Sequence, residues 1–389
     1  MKILSSEIIK RYQNRTRKDI ADWQNAVNVA RSVYSPRQYL LQNIYADITD
    51  DALLASQIQN RQEPVMSRAF TLNTPDGKPD EKASAALAAL PFIQDLIKAI
   101  LDSELYGYSL CEFIPGKPYP VFNVIPRQNV EPGDGIFLPD YYANTGIPYR
   151  RLKEYGKTIL EFNSNHIGIL NKTVPHVLFK KFAQSCWSEL CEIYGIPPRF
   201  LKTNTQDPEM LSRAETMLRE MGSAAAMVID NTEELQFASG VTTTGDVYNN
   251  LITLCNREIS MVISGAIIGQ DTANGNYSKE ESSKEILQRL IESDSRMVEI
   301  YFNTTVLPAL RSLRLISDQP LTFAFTASEN LTDLWTKTVA VMPYYDIDPK
   351  WIKEKFGVEV VGSRSVGGSP ALSYNVTGEP PCAPDNFFL

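Results

Sequence analysis

Histidine and cysteine are the residues most often recruited for metal binding and nucleophilic chemistry. This chain has two histidines, His166 and His176, and five cysteines, Cys111, Cys186, Cys191, Cys255 and Cys382. The histidines stand ten residues apart with no carboxylate or cysteine at ligand spacing, so they read as satisfied or surface imidazoles. No two cysteines form a Cys-x-x-Cys pair, and Cys186 and Cys191, five apart, turn off a common helical face. An odd number of thiols, mostly within apolar stretches, fits a reduced and buried set. The run from Gly265 through Gly269 to Gly275 has the outline of a phosphate loop. It lacks the Lys-Ser/Thr pair and follows a helical pattern, where a phosphate loop follows a strand. Neither a Gly-x-Ser-x-Gly elbow nor a Ser-x-x-Lys motif occurs. The acidic pairs Asp50-Asp51 and Glu280-Glu281 read more simply as caps or solvated faces. No catalytic set, metal site or cofactor is expected.

The chain has 389 residues, 43% hydrophobic and 22% charged, which is enough for a real core in two or three domains. Its net charge is −8. A protein that grips DNA by neutralising phosphates is usually basic. An acidic chain suits the passage of DNA, where like charge prevents sticking, or no DNA role at all. Residues 1–18 run against the average, with Lys2, Lys10, Arg11, Arg15, Arg17 and Lys18 against Glu7 alone. A solvated arm is the plain reading; a docking arm for DNA or a neighbouring subunit is the sharper one. The opening apolar run breaks after Leu4, too early for a secretory segment, and no stretch approaches the roughly 20 apolar residues that span a bilayer. A soluble chain is expected.

The elements that would position any site are legible in the periodicity. Residues 19–70 are mostly helical: Leu40, Leu41, Ile44 and Tyr45 make one apolar face, and Leu53, Leu54, Gln57 and Ile58 continue the spacing. Asp50 or Asp51 caps the second of these helices. Residues 73–82 read as an exposed loop. Phe92, Ile93, Leu96, Ile97, Ile100 and Leu101 form a helical stripe ended by Gly107, after which residues 108–114 alternate as a strand. Residues 119–170 are strand-rich and broken by Pro and Gly turns, so this first region is α+β.

A long helix follows over 176–194, its face set by Phe179, Phe182, Ala183, Cys186, Trp187, Leu190, Cys191 and Tyr194, and stopped by Gly195 and Pro197-Pro198. Asp207-Pro208 opens a helix that ends at Gly222, with residues 224–230 and 234–239 as a hairpin. On that helix Leu211, Ala214, Met217, Leu218 and Met221 face inward. A second long helix spans 246–264, with Tyr248, Leu251, Ile252, Cys255, Ile259, Val262 and Ile263 on one side. After a polar, glycine-containing loop, a third runs over 283–313 on Ile286, Leu290, Met297, Tyr301 and Thr305, kinked or ended at Pro308. A strand over 321–325, a helix after Ser328 and a short helix from Asp348-Pro349 to Gly357 complete the pattern, and residues 362–389 read as a tail.

Four segments resemble the portal proteins of Mu-like bacteriophages, in the same order along the chain. LLQNIYADITDDALLASQIQNRQEPVMSRAF (residues 40–70) resembles the opening helices, and WSELCEIYGIPPRF (187–200) the helix ending before a Gly-x-Pro turn. AETMLREMGSAAAMVID (214–230) resembles the helix-to-strand step that follows. DVYNNLITLCNREISMVISGAIIGQ (246–270) resembles the helix that leads to a loop and a long helix. The resemblance covers about residues 18–345. It implies an α+β, portal-like fold with an α/β wing (1–170), a first stem helix (171–202), a small α/β clip (203–245) and a second stem helix (246–267). Beyond these it implies a channel loop (268–282), a long wing helix (283–319), a reduced C-terminal wing and crown (320–361), and a tail (362–389).

The same resemblance implies a ring, a homododecamer at one capsid vertex of the virion, assembled in the host cytoplasm. Double-stranded DNA is packaged and ejected through such a ring. Terminase, the major capsid protein and a head–tail adaptor are its partners, with no membrane involved. Gln270, Asp271, Thr272, Asn274, Asn276, Tyr277, Lys279 and Lys284 would line the DNA channel as largely neutral contacts that touch DNA without gripping it. Glu209, Arg213 and Glu220 on the clip helix would dock the partners. Three long amphipathic helices with surplus apolar surface agree with faces shared between ring neighbours. Another head–tail connector or tail protein, a DNA-processing enzyme and an acidic regulator are the readings from other classes.

Overall fold

Carboxylate caps open most helices of the first third of the chain. Asp19 accepts from the Asp22 amide while Asp22 returns the bond, a capping box that starts α1 (Ile20–Ala30). α2 (Tyr39–Ile48) follows, and Asp51 accepts from the Leu53 and Leu54 amides to start α3 (Ala52–Met66). Of the two aspartates expected as caps, the structure uses Asp51. β1 (Phe70–Asn73) leads through a turn at Gly77 into α4 (Glu81–Ala88), capped by Asp80, so the loop expected over 73–82 ends two residues early. α5 (Ile93–Tyr106) stops at Gly107, whose φ of 97° is the left-handed conformation a Cβ would resist.

Six short strands follow: β2 (Ser109–Ile114), β3 (Val121–Val124), β4 (Val130–Glu131), β5 (Ile136–Phe137), β6 (Ile147–Pro148) and β7 (Ile159–Phe162). They form two antiparallel sheets, ordered β3–β2–β7 and β4–β5–β6. The computed structural model describes residues 3–8, 19–163, 167–195, 199–202, 207–220, 234–237, 245–267, 277–326, 331–342, 344–345 and 347–358. Within these, the chain continues as α6 (Leu170–Gly195), β8 (Arg199–Lys202), α7 (Pro208–Glu220), β9 (Glu234–Phe237), α8 (Asp246–Ser264) and α9 (Tyr277–Tyr301). A π-helical turn over Phe302–Val306 joins α9 to α10 (Leu307–Ser312), and β10 (Thr322–Phe325) follows. The chain divides into two compact units, Met1–Thr326 and Ala327–Leu389. The second contains α11 (Leu331–Val341) and α12 (Pro349–Phe356), the latter capped by Asp348 and closed by left-handed Gly357 as its sequence predicts. No single helix among the described residues is long and apolar enough to cross a membrane.

Among the described residues, the first unit has three buried clusters. One joins α5 and the β3–β2–β7 sheet to α9, the π turn and α10, with Phe302 stacked on Phe323 at 4.1 Å. A second joins α1, α2, α6 and α8 through Tyr45, Ile48, Val174, Val177, Ile259 and Ile263. The third lies under β4–β6 and takes in Leu4, which is fully buried because Glu112 accepts the Leu4 and Ser5 amides at 2.8 and 3.0 Å. The expected solvated arm is therefore tied down over its described residues 3–8.

Several expectations are corrected. α6 starts six residues earlier than residue 176 and keeps Pro175 inside it, because Leu170 and Val174 are fully buried and that burial outweighs one missing hydrogen bond. Its buried face is Val174, Val177, Leu178, Lys180 and Ala183, while Phe179 and Phe182 are about half exposed. Cys111 and Cys255 are buried, whereas Cys191 faces out. α9 starts at Tyr277 rather than Ser283, and its buried side is Ile291, Asp294, Ser295 and Val298, one position round from the expected stripe. Pro308 does not end the helix. The wide π turn just before it accommodates its ring, and the helix runs on to Ser312. β9 pairs with β8 in antiparallel register, Arg199 opposite Phe237; the hairpin partner expected for it, residues 224–230, lies outside the described residues.

Candidate functional site

α3 is the element from which the rest of the first unit is hung. Leu54, Gln57, Arg61 and Val65 fall on one helical face and are all buried, so two polar residues lie on an apolar stripe. Each polar group then needs a partner, and each finds one on a different helix. The Ser264 hydroxyl, at the end of α8, donates to Gln57 Oε1 at 2.6 Å. Arg61 donates from Nε and Nη2 to the two carboxylate oxygens of Asp294 on α9, at 2.7 and 2.9 Å. Its Nη1 donates to the Ile263 carbonyl at 3.0 Å, which places a guanidinium where the α8 dipole is negative. At the other end of α3, the capping Asp51 also pairs with Lys180 of α6 at 2.9 Å, with both side chains buried. Lys181 adds a bond to the Asp47 carbonyl at 2.8 Å.

These contacts fix the two stems of the α8–α9 connection. α8 ends at Gly265 with φ 70°, and a Cβ there would stand 2.8 Å from Ile286 Cγ2 and 3.2 Å from Leu290 Cδ1, so the end of α8 seats closely on the third and fourth turns of α9. Of the residues expected in the loop, Gln270, Asp271, Thr272, Asn274 and Asn276 lie outside the described residues. Tyr277 and Lys279 fall in the first turn of α9, with their side chains outside the description, and Lys284 is exposed on α9 itself. The connection is thus shorter than expected, and Lys284 belongs to a helix face it shares with Glu281 and Gln288.

On α7, Asp207 accepts the Glu209 amide at 3.0 Å and so caps the helix. Glu209 and Arg213 are exposed one turn apart, while the Glu220 side chain is outside the description. Leu211, expected inward, is partly exposed.

α6 and α8 pack along each other, and each leaves apolar residues exposed among polar ones. Val247, Leu254 and Met261 recur every seven residues along α8 and are 62%, 54% and 49% exposed. Phe179 lies exposed on α6. A seven-residue stripe on one helix face is the pattern by which helices bury against a partner helix.

No group of three or more His, Cys, Asp or Glu residues among the described ones is arranged to hold a metal. His176 is half-buried on α6, and His166 lies outside the description. Burial pushes the thiols of Cys111 and Cys255 upward, away from the thiolate a nucleophile needs. The buried pairs Arg61–Asp294 and Lys180–Asp51 were not foreseen in the sequence. Their one trace there is a charged residue, Arg61, standing on the stripe of Leu54 and Val65.

The family model described as the portal protein of Mu bacteriophage matches residues 42–358. Among solved structures, the fold is similar to a chain in the virion of a native gene transfer agent particle, with a TM-score of 0.57 and 12% identity over 87% of this chain and 99% of that one. Chains in the neck of the empty particle, computed with C6 symmetry, and of the native particle, computed with C12 symmetry, match at the same identity and coverage with TM-scores of 0.55 and 0.50. No curated protein matches by sequence.

Proposed function

The chain belongs to the Mu bacteriophage portal protein family, and from that membership we propose that it is one subunit of a closed ring at a capsid vertex, through which double-stranded DNA is packaged and later ejected. The observation that carries the ring is the exposed apolar stripe of α8 beside α6. A cyclic assembly needs two different complementary faces on each subunit, and a paired helical surface offers an apolar one. The shared fold with a neck chain of a particle computed with C12 symmetry supports twelve subunits. In this reading residues 1–170 and 283–319 form the wing, α6 and α8 the stem, 203–245 the clip, and the α8–α9 connection the channel loop. Residues 320–361 form the reduced crown, and 362–389 an extended tail. The role is structural, with no cofactor. Terminase and then a head–tail adaptor dock on the clip through Glu209, Arg213 and Glu220, and the major capsid protein surrounds the ring after assembly in the host cytoplasm.

Leu254→Asp tests the ring. The residue is half exposed in the single chain, so the fold should lose only about 1–2 kcal/mol. An aspartate buried at every subunit interface should weaken each one by about 2 kcal/mol or more. Native mass spectrometry and electron microscopy should find rings for the wild type and folded monomers for the variant. Rings of normal yield would remove the stem face from the interface.

The channel loop has its own test. Its neutral residues Thr272, Asn274 and Asn276 contact phosphates without the salt-dependent grip that added cations bring. Removing residues 272–276, which stops short of α9, should leave ring yield unchanged and reduce the number of DNA-filled, nuclease-protected heads severalfold. Normal filling and retention would show the segment to be a connector only.

A further inference from the structure

β4 buries a carboxyl group, that of Glu131. Glu131 is 4% exposed and lies at the amino-terminal end of α2, where its Oε1 accepts the Gln38 amide at 3.1 Å. Its Oε2 has no hydrogen-bond partner among the described residues, nor have Oε1 of Gln38, Oε1 of Gln42 and the Tyr45 hydroxyl. These last three stand at i, i+4 and i+7 on the buried face of α2. The amide nitrogens of the two glutamines are committed to the Ala30 and Tyr106 carbonyls, at 3.4 and 3.1 Å, which leaves their oxygens as acceptors.

Opposed forces act on Glu131. The α2 amino terminus and Arg37 in the preceding turn favour the carboxylate, whereas burial and Asp134 in the β4–β5 turn favour the neutral acid. Burial is the largest, and it raises the group from its ordinary 4.5 to about 7. The other titratable groups facing the junction are phenols. Tyr108, just before β2, donates to the Arg127 carbonyl at 2.7 Å and is raised by burial and by Glu131, and Tyr45 is raised by burial, so neither ionises near neutral pH. A pocket of about 450 Å³, lined by Arg31, Val33, Gln38, Gly133 and Asp134, opens beside the junction and reaches solvent.

We propose that Glu131 is a proton-operated latch between the α1–α2 turn (residues 31–38) and the β4–β5 turn: neutral, it leaves the junction closed and dry, and ionised, it draws water in through the adjoining pocket and loosens the turn. That turn carries Val33 and Tyr34, both almost fully exposed, so the latch governs the order of an apolar surface element. The folded chain holds the proton to about pH 7, whereas an unfolded glutamate releases it near 4.5. Stability is therefore highest below pH 4.5 with respect to this group, falls as the pH rises toward 7, and levels off above it. Between pH 6 and pH 8 the closed state should lose roughly tenfold against states in which Glu131 is solvated.

The latch does not depend on the ring, and it is tested on the full chain by hydrogen–deuterium exchange corrected for the intrinsic rate at each pH. In the wild type, peptides from 31–48 and 128–138 should exchange severalfold faster, relative to the corrected rate, at pH 8 than at pH 6, while those from 93–106 do not change. Glu131→Gln, neutral at all pH values, should abolish the difference and leave these peptides at least as protected as in the wild type at pH 6. Equal pH dependence in wild type and variant would overturn the proposal. If the variant does not fold, the wild type decides alone: flat protection of 31–48 between pH 6 and pH 8 would equally overturn it.

Discussion

Arg61→Ala should lower the stability of the folded chain by about 3–5 kcal/mol, the range for removing one partner of a buried ion pair. Arg61 and Asp294 are less than a tenth exposed, and the guanidinium also holds the Ile263 carbonyl at the end of α8. Alanine would leave the Asp294 carboxylate buried without its partner and free the α8 carboxy terminus, so the loss exceeds that of the hydrogen bonds alone. Urea denaturation followed by circular dichroism measures it as a drop in midpoint with the slope retained. Replacing both residues by apolar ones of similar size, Arg61→Met with Asp294→Leu, should recover most of the loss, because no charge then stays buried. A single variant within about 1 kcal/mol of the wild type would mean that the pair is solvated. The stems of the α8–α9 connection rest on this node, so the single variant should also lose protection from exchange over 259–265 before the rest of the unit does.

Phe302→Ala should cost a similar 3–5 kcal/mol, through a cavity rather than a charge. The ring is fully buried and stacked on Phe323 at 4.1 Å, within the π turn that carries the long helix past Pro308. Its neighbours hold β10 by its backbone: Asn303 exchanges two hydrogen bonds with Phe323, and Glu299 accepts the Phe325 amide. An empty site there should loosen the β1–β10 pair, whose register runs from Phe70–Phe325 to Asn73–Thr322. Phe302→Leu fills more of the space and should cost less than half as much. Chemical denaturation of the three proteins measures the series, and equal stabilities for alanine and phenylalanine would mean that the site collapses without loss.

The α+β class, the order of the long helices and the helix ends at Asp51, Gly107, Asp207, Asp348 and Gly357 were legible in the sequence, whereas β1, α4 and β8 were not, and α8 begins and ends where its sequence predicts. Each of these depends on hydrogen bonds and steric limits within a few residues of the position concerned, so the local sequence contains the cause. The portal family was legible for a related reason: the four quoted segments lie mostly in helices whose spacing is intact. The sequence places the loop between the right two helices but predicts it too long. The first turn of α9, rich in Ser, Lys and Glu, has no apolar period to announce it, and tertiary contact at Gly265, Ile286 and Leu290 anchors the helix two to three turns further on.

The faces of α6 and α9 were decided by tertiary structure. Reading periodicity assigns Lys180 and Asp294 to solvent because they are charged, yet each is neutralised by α3, through Asp51 and Arg61, and turns inward with it. Phe179 is displaced to the surface in consequence. The pairings of β1 with β10 and of β8 with β9 likewise join segments far apart in the chain. A cap or a stop involves neighbours in sequence, so one chain displays both members. A buried ion pair or a strand partner is chosen by which distant segments meet in the core, and only the folded chain contains that choice.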